Sequence, residues 1–262
     1  MKYVVDHDYH IHSQLSLCSN DPLQTPQRLL QYAKDNGLKR ICITDHFWDE
    51  TVEGASDWYS PQNLSHIKQS LPLPQDEKVE FLFGCETEMD KFLTLGISRE
   101  TIDKFDFVII PTTHLHMRRF TIEEGATLEQ RAEAYVKRLD RVLDMDLPFY
   151  KIGIAHLTCP LISRDPKGSF LDVLDMISDE EFERMFTKAA KVGVGIELNF
   201  HPESTEENME RVLRVYRIAK KCGCKFYMGS DSHKAKDLDT CYNRLCKIAE
   251  MLDLDESDKF RF

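Results

Sequence analysis

Long hydrophobic runs are missing from this chain. No apolar stretch in its 262 residues approaches the ~18–20 that a membrane span requires. The opening MKYVVDHDYH has charges and histidines where a secretory signal has an apolar core, so no leader peptide is expected. Paired cysteine motifs are missing too: Cys18, Cys42, Cys85, Cys159, Cys222, Cys224, Cys241 and Cys246 form no C-x-x-C. They are expected as reduced thiols of a cytoplasmic protein, most of them small buried residues. Positive charge is in deficit, with 34 basic against 45 acidic residues and a formal net charge of −11. Such a surface repels long polyanions, and no basic stripe offsets it, so no long nucleic acid is expected as partner. Gly193-Val-Gly195 precedes a strand rather than opening a helix, which excludes a phosphate-cradling loop, and neither a P-loop nor a nucleophile elbow is present.

What is present is an alternation of element types. Short apolar runs with β character fall at 3–8, 40–44, 79–83, 105–111, 149–155, 194–198 and 225–228. Helical patterns lie between them. Thr25 with Pro26 opens one that ends at Gly37, and Thr127 opens another with Leu128, Ala132, Tyr135 and Leu139 on one face. Ser178 and Glu181 read as a capping box for a third, closed by Gly193. Others are expected over 98–104, 205–221 and 236–252. Continuous apolar strands alternating with helices argue a parallel sheet covered by helices. Seven repeats fit a closed (β/α)7 barrel better than an open sheet, with residues 1–262 as a single domain and 48–76 as an excursion over one face.

Eight of the ten histidines fall at or just past predicted strand ends: His10, His12, His46, His114, His116, His156, His201 and His233. Asp8, Asp45, Glu86 and Asp231 fall at the same level. Only His7 and His66 fall elsewhere, and both read as solvated surface residues. The C-terminal rim of a parallel barrel gathers side chains from different strands around one volume. Imidazoles and carboxylates crowded there suffer repulsion and desolvation that a divalent cation removes, and this mixture suits Zn, Fe or Mn. A metal also dominates local charge, so a small anionic substrate is compatible with the acidic surface. In ELNFHP either His201 or Asn199 faces inward.

Taken in order, DYHIHS, ITDH, FGCETE, PTTHLH, IAHL and GSDSH span nearly the whole chain. In these motifs the sequence resembles the PHP (polymerase and histidinol phosphatase) family, metal-dependent phosphoesterases built on a distorted seven-stranded barrel. The resemblance implies two or three divalent metals. One would be held by His10, His12, Glu86 and Asp231. A second would share Glu86 and add His114 and His156, with His116 as the alternate at that strand end. A third would use His46 and His233 with a further histidine, whose position here is Cys18. A thiolate also binds zinc. A water bridging two metals would attack phosphorus in line, and His233 or His46 would protonate the leaving oxygen. Arg164, Arg118 and Arg119 are candidates for clamping the phosphate, Arg164 first, because histidinol-phosphatase-like members carry an arginine in the corresponding loop.

The expectation is hydrolysis of a small phosphomonoester, with histidinol phosphate as the leading substrate. The same family includes nucleotide phosphatases and nucleases, and the acidic surface disfavours the latter. Amidohydrolases also place H-x-H on the first barrel strand, but they carry a modified lysine where this chain has His114-Leu115-His116. A non-catalytic metal-binding domain is the third reading.

Overall fold

The computed structural model describes residues 1–166, 169–199 and 206–262. Within them the strands are β1 (His7–Ile11), β2 (Arg40–Ile43), β3 (His46–Phe47), β4 (Glu80–Phe83), β5 (Cys85–Thr87), β6 (Val108–Pro111), β7 (Ile152–Ala155), β8 (Gly195–Leu198) and β9 (Lys225–Met228). The helices are α1 (Pro26–Asp35), α2 (Leu64–Ile67), α3 (Arg99–Ile102), α4 (Leu128–Asp144), α5 (Ser169–Asp175), α6 (Asp179–Val192), α7 (Glu206–Lys221) and α8 (Cys241–Met251). Every strand ladder is parallel, in the orders β1-β2-β4 and β3-β5-β6-β7-β8-β9.

The two sheets are one set of seven staves. β2 runs on into β3 after two residues, and β4 into β5 across Gly84. A Cβ at Gly84 would stand 2.5 Å from the Phe107 carbonyl oxygen and 2.7 Å from Cys42 Sγ, so only glycine lets the stave cross there. The ring closes between β1 and the chain leaving β9. Near the rim, backbone bonds run from Asp231 N to His10 O (2.7 Å) and from His12 N to Ser232 O (3.1 Å). Lower down, side chains replace the ladder: Met228 N donates to His7 Nε2 (3.0 Å) and Ser230 N to Asp8 Oδ1 (2.9 Å).

That closure corrects two expectations. The first strand is His7–Ile11 rather than 3–8, because Tyr3 and Val5 are spent on the core and Tyr3 N bonds Leu254 O. His7, expected in solvent, is buried as a seam residue stacked on Tyr9. Two other strands are shorter than predicted at their starts, 105–107 preceding β6 and 149–151 forming a single 3-10 turn before β7. The reciprocal capping box sits at Thr127 and Gln130 rather than at Ser178, since the Glu181 carboxylate is taken by Arg184. Gly193 ends α6 in the left-handed region, as its position predicts. Cys42, Cys85, Cys159, Cys224 and Cys241 are buried free thiols. No helix among the described residues is long and apolar enough to cross a membrane.

Candidate metal centre

Four strand ends and two loops converge above the barrel. His10 and His12, two apart on β1, turn their Nε2 atoms to within 3.1 Å of each other. His12 Nε2 lies 3.3 Å from Glu86 Oε2 and 3.1 Å from Asp231 Oδ1; His10 Nε2 lies 3.6 and 3.4 Å from the same atoms. Ligands of a tetrahedral zinc stand about 3.3–3.6 Å apart. Glu86 faces other histidines as well. His46 Nδ1 is 2.9 Å from Oε2, while His156 Nε2 is 3.1 Å and His114 Nε2 3.9 Å from Oε1. Three groupings place one donor atom per residue within 4.8 Å of the others: His10, His12 and Asp231; His10, Glu86 and His156; and His12, His46 and His233.

The rings are held from behind. His10 Nδ1 donates to Glu197 Oε2 (2.6 Å), His114 Nδ1 to Glu88 Oε2 (2.8 Å) and His233 Nδ1 to the Asp231 carbonyl (2.9 Å). Ser16 Oγ gives its proton to Asp45, so it accepts from His12 Nδ1 (2.9 Å). Thr113 Oγ1 bonds the His156 carbonyl and accepts from His156 Nδ1 (3.0 Å). Five rings thus have Nδ1 tied from behind, which leaves Nε2 as the atom offered to a cation, the arrangement that metal-binding histidines adopt. Glu86 Oε2 and His46 Nδ1 are buried with no hydrogen-bond partner among the described residues, although they nearly touch. A cation between the two would satisfy both atoms.

The charge balance points the same way. Burial lowers the basicity of His10, but Glu197, Asp231 and Glu86 outweigh it and raise the ring well above its ordinary pKa. Burial lowers His12 as well, but the Asp231 and Glu86 carboxylates beside it outweigh that and raise it to about 8. The cage therefore attracts positive charge, and a bound cation supplies it without protons. Burial and the neighbouring His156 hold His114 well below the usual range. Burial with His12 brings His233 down to about 3, and burial with Arg164 does the same to His116. His156 and Asp231 adopt left-handed backbone, φ 31° and 51°, a strain of roughly 1–3 kcal/mol per residue that clusters at functional sites.

Beside the cage opens a cavity of about 670 Å³. Glu86, His46, His114, Asp231 and His233 line it on the side of the cage, and His116 and Arg164 line it as well. Cys18 is exposed, on the lining but in none of the three donor groupings, and partial desolvation of its sulfur together with Asp231 and Glu86 pushes its thiol up. Arg118 lines a different, smaller cleft and lies 3.5 Å from Asp165, while Arg119 pairs with Glu124. Asp8 accepts from His10 N and Ser230 N and Asp45 from Ser13 N and Oγ, so neither is among the cage donors. His66 is half-buried, its Nε2 on the Leu15 carbonyl. His201 lies outside the described residues; Asn199 is buried.

Sequence reasoning missed Glu197, Glu88, Ser16 and Thr113, the partners behind the rings. The Glu86-Thr87-Glu88 alternation, which sets both carboxylates on one strand face, was the available signal. It also missed the cavity's apolar side, Trp58, Tyr59, Met117, Phe120 and Leu161.

The chain resembles in fold a histidinol phosphate phosphatase, HisK, from Lactococcus lactis subsp. lactis Il1403, complexed with zinc, L-histidinol and phosphate. The TM-score is 0.69 at 18% identity, covering 99% of this chain and 100% of that one. Weaker likenesses are a D-hydantoinase from a Bacillus sp. AR9 (TM-score 0.40, 10% identity, 86% and 46% covered) and a 7,8-dihydropteroate synthase from Vibrio fischeri ES114 (0.40, 12%, 95% and 94%). No curated protein sequence matches. The PHP domain profile matches residues 8–201, about three quarters of the chain, and the chain belongs to the PHP family of metal-dependent phosphoesterases.

Proposed function

We propose that the protein hydrolyses a small phosphomonoester, with histidinol phosphate as the leading substrate. The observation that carries the reading is the shared posture of the rings: Nδ1 is tied from behind on His10, His12, His114, His156 and His233, which leaves Nε2 for a cation, around a carboxylate whose Oε2 has no hydrogen-bond partner among the described residues. Those residues fit divalent cations. In the proposed arrangement His10, His12, Glu86 and Asp231 hold one, and Glu86, His114 and His156 a second. His46 and His233, with Cys18 on the lining beside them, hold a third. Zn, Mn and Fe all suit imidazole with carboxylate. Bound metals supply Lewis acidity and a nucleophile drawn from water near neutral pH.

The chain's own residues do the rest. Glu197 and Glu88 fix the His10 and His114 rings so that their lone pairs need no reorganisation. Arg164, on the cavity lining, would clamp the outer phosphoryl oxygens with its charged fork. His46 and His233 line the cavity, where they would hold the third cation or, in its place, hand the leaving oxygen its proton. The fold likeness over the full length of a histidinol phosphate phosphatase supports the choice of substrate.

Metal-loaded protein is to be assayed on histidinol phosphate, a mononucleotide bisphosphate, an oligonucleotide and a cyclic amide. Phosphate release from the first, with retained metal found by elemental analysis, is the expected result. Cleavage of the oligonucleotide alone, or of the amide alone, overturns the substrate class, and inertness of loaded protein towards all four leaves only metal binding.

A further inference from the structure

The cavity has two unlike sides. The inner side is the cage. The outer side is apolar and is assembled from three separate loops: Trp58 and Tyr59 from the excursion after β3, Met117 and Phe120 after β6, and Leu161 after β7. Its rings form one continuous patch. Trp58 meets Tyr59 edge-on at 4.7 Å, Tyr59 meets Phe120 at 5.6 Å, and Trp48 backs both Tyr59 and Phe120 at 6.0 and 5.6 Å. Trp58 also meets His46 edge-on at 5.0 Å, so the patch begins where the cage ends.

This patch is built rather than incidental. Trp48 N bonds Gln62 O, and the buried Gln62 ties the excursion to the first motif by accepting from Leu17 N at 3.0 Å. Asp49 fastens its other end to Ser98 (Oγ to Oδ2, 2.7 Å). Tyr59 is wholly buried, yet Trp58 keeps 36% of its surface exposed. A large aromatic left open in a concave site beside charged chemistry is a surface awaiting a ligand, not unfinished core. An ester whose phosphoryl group sits at the cage has its organic part against this patch, and flat rings give aromatic walls the most contact for the least ordering.

We propose that Trp58 and Phe120 select the substrate, which is a phosphomonoester whose alcohol carries a planar ring. The proposal rests on the phosphomonoesterase reading and adds the residues that recognise the ring of the leaving alcohol.

The test compares 2-phenylethyl phosphate with glycerol 1-phosphate, both esters of primary alcohols, so that leaving-group reactivity is nearly matched. The expected kcat/KM ratio favours the ring by about tenfold or more, mainly through KM, the size of a desolvated aromatic contact. Trp58→Ala and Phe120→Ala each lower that ratio by about tenfold, and Trp58→Tyr restores most of it. A ratio near one in the wild type, or a ratio unmoved in both alanine variants with native circular dichroism, overturns the proposal. If neither ester is hydrolysed, the phosphatase reading falls and calorimetry decides the wall separately. Wild-type protein binding 2-phenylethyl phosphate about tenfold more tightly than glycerol 1-phosphate upholds it, and equal binding sinks it.

Discussion

The two ends of the barrel are made from the same staves and obey different rules. At the C-terminal end, His10, His12, Glu86, His156 and Asp231 are packed donor against donor at 3.1–3.6 Å, with no apolar group between them to relieve the crowding. At the opposite end, Tyr9, Phe107, Tyr227, Phe260 and Phe262 fill the interior ring on ring. Phe262 stacks on Phe107 at 4.7 Å and Arg40 caps the Phe262 ring at 4.7 Å. The lower end is complete in itself, with every contact satisfied by protein. The upper end is complete only with something added. Packing therefore holds the barrel, and the rim is free to keep an arrangement that packing alone would not tolerate.

Substitutions at each end sharpen that contrast. Glu86→Ala is expected to cost at least about 10³-fold in phosphate release, some 4 kcal/mol of barrier, and to empty the metal sites. Elemental analysis beside the rate checks this, and full metal content with lost activity contradicts the bridging role. Phe107→Ala, wholly buried at the lower end, is expected to destabilise the fold by about 3–5 kcal/mol in urea melts while metal bound per folded molecule stays unchanged. Glu197 joins the two ends, accepting from Tyr227 Oη below (3.2 Å) and from His10 Nδ1 above (2.6 Å). Glu197→Gln is expected to weaken metal binding about 10–100-fold by competition titration. An unaltered affinity would detach the rim from its support.

Smaller effects follow at the seam and in the excursion. Burial works to raise the Asp6 carboxyl, but hydrogen bonds from His7 and Lys259 outweigh it and hold it well below the usual range. A carboxyl depressed on folding contributes stability that is present above its unfolded pKa near 3.8 and lost as pH falls below it. Asp6→Asn should therefore lower the urea midpoint at pH 7 and have a smaller effect near pH 3. His66→Ala removes one half-buried contact to the Leu15 carbonyl and is expected to cost no more than about 1 kcal/mol, with metal content intact. A large loss of metal in that variant would make the excursion part of the cage.

The donors were legible because chemistry writes itself in residue type. Histidines and acids at strand ends, in the spacing of His10 and His12 or of Asp231 and His233, have few structural uses. The strands were legible as apolar runs, though β1 was displaced by four residues, since Tyr3 and Val5 are as apolar as any strand and only the tertiary fold sends them to the helices. His7 escaped because a buried imidazole and a solvated one look alike in sequence; what decides is the missing ladder beside it. Glu197 escaped because its meaning lies in a partner 187 residues away. The aromatic wall escaped for the same reason, its rings being contributed by three loops with no shared pattern.

Glu86 has one further consequence. Its Oε2 faces His10, His12 and His46, and its Oε1 faces His114 and His156. A carboxylate is a rigid plate, so any tilt that draws one oxygen towards its neighbours swings the other away from its own. The two halves of the rim are thus the arms of a single balance. Neither can be retuned alone, and whatever settles on one side sets the terms for the other.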